Sequence, residues 1–288
     1  MVIGDLKFPG IPCHSISLDD IKVFMADDGN AKRINFATTH CGALRKDPTE
    51  NPFAWLNLPF TQTIEPLMKK ELGVSGLFLF LSKFSGKPYR RIDTEREYAE
   101  IQSVIDKYKD YVFLRDCLDL SMALSMNMVD NVNRTSIGEL EYRVKYHSLE
   151  ADYKANVSAL TKKLQTTLDS LPYFKEVDCV CVVPSSHSFM QEIVAGLKGF
   201  DFTDISGMVN WNKTMEVKNA DNLDEKLDAL VKSELTFKGD LDLKGKNVLL
   251  LDDLYKSGIT MQYVAMKLKE AGCRRVFGMT LVKSLGNK

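Results

Sequence analysis

The chain has 288 residues, 44% of them apolar and 27% charged, a balance that supports a sizeable core and excludes global disorder and fibrous architectures. Thirty-eight basic residues against 39 acidic ones leave a formal charge of −1, so there is no general electrostatic pull toward nucleic acid or an anionic membrane. The longest apolar stretch, VSGLFLFL at residues 74–81, is far shorter than the roughly 20 residues that span a bilayer. MVIGDLKFPG has no basic region followed by an apolar run, and cytoplasmic residence is the expectation.

Six cysteines (Cys13, Cys41, Cys117, Cys179, Cys181, Cys273) contain no CxxC pair, which argues against a disulfide framework and a zinc ribbon. Cys179 and Cys181 share one face of an apolar run and read as core. The neighbours Cys13 with His14 and His40 with Cys41 match no familiar finger spacing, so no protein metal site is expected.

The length suits two domains, expected as an accessory unit over 1–130 and a second domain over 131–288. Pro9, Pro12, Pro48, Pro52, Pro59 and Pro66 keep the elements before residue 70 short. Residues 77–81 read as a strand, 94–108 as a helix opened by Asp93 or Thr94, and 114–128 as another helix. Val157, Leu160, Leu164, Leu168 and Leu171 recur at helical spacing and predict a helix over 151–171. Thereafter strands (179–183, 246–251, 275–282) alternate with helices (189–197, 259–271, the latter stopped by Gly272). This is the signature of an α/β fold, a parallel sheet flanked by helices, behind an N-terminal α+β domain. The polar stretch 210–239 reads as a lid or a loop, and its Lys213 and Lys218 read as solvated surface.

Chemistry concentrates in VLLLDDLYKSGIT, residues 248–260. Asp252 and Asp253 stand at the C-terminal end of a buried strand, where open parallel sheets place their ligands. Tyr255, Lys256, Ser257, Gly258, Ile259 and Thr260 then form a short loop into a helix, whose free amides and dipole suit a phosphate. Gly258 permits close approach, and the hydroxyls of Ser257 and Thr260 add donors. Carboxylates beside an anion site suit a ligand that also presents hydroxyls, which describes a ribose 5-phosphate. Pro184, Ser185, Ser186 and His187 follow another strand and are candidates to hold a pyrophosphate.

LLLDDLYKSGIT resembles the phosphoribosyl pyrophosphate signature of type I phosphoribosyltransferases. The resemblance implies that Asp252 and Asp253 hold the ribose 2′ and 3′ hydroxyls, that residues 255–260 wrap the 5′-phosphate, and that Mg²⁺ accompanies the pyrophosphate. RTSIGELEYRVKY (134–146), ending in Lys145 and Tyr146, and VVPSS (182–186) are similar to segments of the ComF-like branch. The cysteine-rich zinc module usual in that branch is absent, which weakens an inherited role with nucleic acid. The implied activity is transfer of phosphoribose to a nitrogenous base; the alternative is a non-catalytic sensor of the same ligand acting through a protein partner or a second copy. The sheet core offers no evident base pocket, so acceptor choice is expected from the N-terminal half, with Phe53, Trp55, Phe60 and Tyr89 as stacking candidates.

Overall fold

The computed structural model describes residues 15–26, 29, 31–37, 44–46, 54–73, 79–83, 85–211, 222–239 and 241–286. Cys13, His14, His40, Cys41, Phe53, Lys213 and Lys218 lie outside that set. Two compact units are present: the first described helix joins everything described from Asp116 onward, while the described residues between 28 and 115 form the other. The units therefore divide near residue 115 rather than at 130.

The first helix, α1 (Leu18–Met25), opens on a capping box: Ser17 Oγ accepts the Asp20 N–H at 3.1 Å, and the Asp20 carboxylate accepts the Ser17 N–H at 2.8 Å. The unit after it is α+β. It holds β1 (Arg33–Ile34), β2 (Leu44–Lys46), β3 (Ala54–Asn57), α2 (Ile64–Leu72), β4 (Phe80–Leu81), β5 (Pro88–Ile92), α3 (Glu95–Tyr108) and β6 (Val112–Leu114). Strands β2, β3, β5 and β4 form an antiparallel sheet in that order, and β1 pairs with β6. Burial alternates along β3, with Ala54 and Leu56 inside and Trp55 and Asn57 outside, as a sheet with one covered face requires. Of the aromatic residues expected to stack on a ligand, Phe60 is buried, and Trp55 instead packs on Tyr89 at 5.8 Å between ring centroids.

The other unit continues with β7 (Leu120–Met126), α4 (Ser136–Tyr146), α5 (Tyr153–Ser170), β8 (Cys179–Val182), α6 (Phe189–Ala195), β9 (Thr203–Asp204), β10 (Val209–Asn210), α7 (Leu223–Lys232), β11 (Thr236–Phe237), β12 (Asn247–Tyr255), α8 (Ile259–Glu270) and β13 (Arg275–Lys283). Its main sheet runs β7-β13-β12-β8-β9, every neighbouring pair parallel, while β10 and β11 form a separate antiparallel ribbon. The helix expected over 114–128 is a correction. LSMALSM is rich in helix formers, but six of its seven residues are buried in a strand, and burial in the sheet overrides propensity. Cys117, Cys179, Cys181 and Cys273 are buried and free, as core packing predicts.

Chirality arranges the helices. The β8-α6-β9 and β12-α8-β13 crossovers step in opposite directions along the sheet, so right-handedness puts α6 and α8 on opposite faces. Contacts agree, for α4, α5 and α6 pack as one layer and α1, α7 and α8 as the other. A buried pair, Lys269 Nζ to Asp119 at 2.8 Å, ties α8 to the base of the sheet. Among the described residues no helix is long and apolar enough to cross a membrane.

Candidate functional site

Because the chain leaves β8 and β12 toward opposite faces, a crevice opens at their C-terminal ends, the place where such sheets bind ligands. The loop after Val182 and the segment after Leu251 border it. Pairing between β8 and β12 ends at Val182 with Leu251, but the ladder with β13 continues through Leu254 with Val282 and Tyr255 with Lys283. Strand β12 thus does not stop at residue 251, where its apolar run ends. Nine-residue β13 supplies a partner on one side, and residues 252–255 project past β8 still in extended form.

That extension separates the two acids. Successive strand residues point to opposite faces, and exposure alternates accordingly: Asp252 and Leu254 are half-buried, Asp253 and Tyr255 buried. Leu250 pairs with Gly278, where a Cβ would stand 3.3 Å from Met261 Sδ of α8, so Leu250 and Asp252 look to the α8 side. Asp253 faces the other layer, with Oδ2 at 2.7 Å from Lys145 Nζ of α4. The same ammonium lies 3.5 Å from Glu141, one turn earlier. Burial disfavours the Lys145 ammonium, yet Asp253 and Glu141 outweigh it and hold its pKa above the ordinary lysine value. Burial first, with Asp253 adding to it and Lys145 opposing, pushes the Glu141 carboxyl above its usual range.

The turn into α8 brings Lys256, Ser257, Gly258 and Thr260 together at the helix head. Gly258 has φ +80°, a left-handed conformation, and as N-cap it supplies no side-chain cap to the helix. Ser257 Oγ stands 3.5 Å from the Ile259 amide, Lys256 is exposed, and the Ile259 side chain is buried. Tyr255 departs from expectation. Its ring is buried and its hydroxyl donates to Asp116 Oδ2 at 2.9 Å, so only its backbone belongs to the projecting segment. Burial, reinforced by the Asp116 charge, drives the Tyr255 phenol far above its ordinary pKa. Burial likewise raises Asp116, although hydrogen bonds from Ser121, the Leu118 amide and Tyr255 oppose it.

Across the crevice, Ser185 and Ser186 are exposed, Pro184 and His187 half-buried, and Ser185 Oγ accepts the His187 N–H at 3.3 Å. Ser206 steadies the strand before them, accepting the Val182 N–H at 2.8 Å and donating to Asp204 at 2.6 Å. Sequence reasoning did not assign Glu141 or Asp116 to the site, and it knew Lys145 only through a resemblance. The i,i+4 spacing of Glu141 and Lys145 on a helix was a usable signal; the long-range bond from Tyr255 to Asp116 left none. A surface groove of about 720 Å³ on the outer side of α8, lined in part by Ser17, Leu235 and Met266, includes none of these residues.

Residues 154–286 match the family model described as phosphoribosyl transferase domain. A hypoxanthine-guanine phosphoribosyltransferase from Bacillus anthracis str. 'Ames Ancestor' is similar over 53% of this chain and 73% of that one, at 16% identity and a TM-score of 0.29. A search of curated proteins finds no match. The likeness to a phosphoribosyl transferase domain thus lies in residues 154–286, and α4, with Lys145, precedes the matched residues.

Proposed function

We propose that the crevice binds the ribose 5-phosphate part of phosphoribosyl pyrophosphate and that the protein transfers phosphoribose to a nitrogenous base, releasing pyrophosphate. One observation carries this reading: Asp252 projects past the end of β8, six residues before Gly258, the N-cap of α8, which supplies no side-chain cap. A carboxylate accepts from sugar hydroxyls, and helix-head amides hold the phosphate at the other end of the same ligand. The exposed hydroxyls of Ser185 and Ser186, with His187, are suited to the pyrophosphate. Lys145 offsets the charge of Asp253, which lowers the repulsion that a polyphosphate meets beside two acids. The Lys145 and Tyr146 ending of α4 is what favours the ComF-like branch within this reading.

Departure of pyrophosphate from C1 leaves positive charge on the sugar, so the protein's part is positioning and electrostatics. Magnesium fits as an ion delivered with the ligand. Among the described residues no group of three or more His, Cys, Asp or Glu is placed to hold a metal by itself, and Mg²⁺ takes most of its octahedral shell from phosphate and water oxygens. When bound, it would neutralise the leaving pyrophosphate.

The direct test mixes the protein with phosphoribosyl pyrophosphate, Mg²⁺ and a panel of free bases and measures pyrophosphate release. Release with at least one base supports transfer, binding without release supports a sensor, and no binding by calorimetry overturns both. Asp252→Asn is expected to weaken ribose 5-phosphate binding about tenfold, the scale of one charge-assisted hydrogen bond, without lowering the melting temperature. Unchanged affinity in that variant would remove Asp252 from the sugar site.

A further inference from the structure

We propose that Tyr146, at the end of α4, is the stacking platform for the acceptor, and that the acceptor is a planar heterocycle. This rests on the ribose 5-phosphate reading above. If the phosphate is held at the head of α8, the sugar lies across the projecting end of β12, and its C1 end points away from α8. The opposite layer is where Asp253 meets Lys145 at 2.7 Å, and the Tyr146 ring centroid lies 6.0 Å from that same ammonium.

Tyr146 is 63% exposed, unusual for a large aromatic side chain on a helix whose neighbouring positions, Glu141 and Val144, are buried. Its partner on the helix face, Tyr142, is 5.1 Å away, and the Arg134 guanidinium sits 4.0 Å over the Tyr142 ring. Tyr142 is thus covered, and Tyr146 carries the exposed ring of the pair. The mount is firm. Thr135 caps α4 by accepting the Gly138 N–H at 2.9 Å, and Gly138 approaches the end of β7 so closely that a Cβ would lie 2.0 Å from the Asn127 carbonyl oxygen. A ring fixed on a rigid element beside a sugar site stacks a flat base with little ordering cost, and any base has a face to offer.

The experiment compares ribose 5-phosphate with adenosine, guanosine and uridine 5′-monophosphates by calorimetry on the whole chain. The added base is expected to strengthen binding by roughly five- to a hundredfold for at least one nucleotide, the range that base stacking on an aromatic ring contributes. Tyr146→Ala should abolish that increment and leave ribose 5-phosphate affinity unchanged, and Tyr146→Phe should retain it. An increment that survives Tyr146→Ala, or no increment in the parent protein, overturns the platform. Failure of the parent protein to bind ribose 5-phosphate at all would instead remove the sugar-phosphate reading beneath it.

Discussion

Gly258→Val is expected to reduce ribose 5-phosphate and phosphoribosyl pyrophosphate binding by more than about a hundredfold, while Ser257→Ala costs about tenfold, the value of a single donor to a charged group. The larger loss has two sources. Gly258 sits at φ +80°, where an L side chain costs about 1–2 kcal/mol and a β-branched one more. A Cβ there would also stand 2.1 Å from Tyr255 Oη and 2.2 Å from Cζ, so the ring must move and its bond to Asp116 must break. The glycine is therefore needed less for room on the ligand side than for room against Tyr255. Releasing the turn scatters the amides at the head of α8, and these must be aimed together to hold a phosphate. Melting curves and calorimetry separate the two levels. Equal loss of affinity in both variants, with both still folded, would mean that the turn does not enclose the ligand.

What the sequence made legible follows from how local each determinant is. The periodicity of residues 151–171 and the Gly258 and Gly272 boundaries of α8 reside in a few neighbouring side chains, and α5 and α8 fall where those signals put them. The end of β12 depends on a strand that comes twenty residues later: β13 lengthens it to Tyr255, and no local feature of LLLDDLY announces that. The same cause divides Asp252 from Asp253, because two acids in a loop can share one diol while two in a strand face opposite ways. Residues 120–126 misled for a related reason, their Leu, Met and Ala being good helix formers that the parallel pairing with β13 holds extended. Trp55 and Tyr89 had the chemistry of a stacking site, but pairing of β3 with β5 sets them against each other.

Lys145→Met is expected to destabilise the protein by about 3 kcal/mol at pH 8 and by much less at pH 5, because removing one partner leaves buried charge unpaired. Lys145 lies between Asp253 and Glu141, and all three side chains are at most 15% exposed. In the parent protein its raised pKa gives a stabilisation that is complete below the ordinary lysine value and is lost only as pH rises through the folded value, well above neutrality. Without the ammonium, Glu141, already raised by burial and by the neighbouring Asp253 charge, loses the partner that opposed that rise and binds its proton more tightly folded than unfolded. Stability of the variant is then full below the ordinary carboxyl pKa and falls as pH rises toward the elevated folded value of Glu141, so the deficit grows between pH 5 and pH 8. Urea unfolding at the two pH values reads this directly. Adding Asp253→Asn to Lys145→Met removes one of the two charges and should recover most of the loss, together with the affinity for phosphoribosyl pyrophosphate that unshielded repulsion weakens. An equal deficit at both pH values, untouched by Asp253→Asn, would assign the effect to the missing methylene packing of Lys145 and not to its charge.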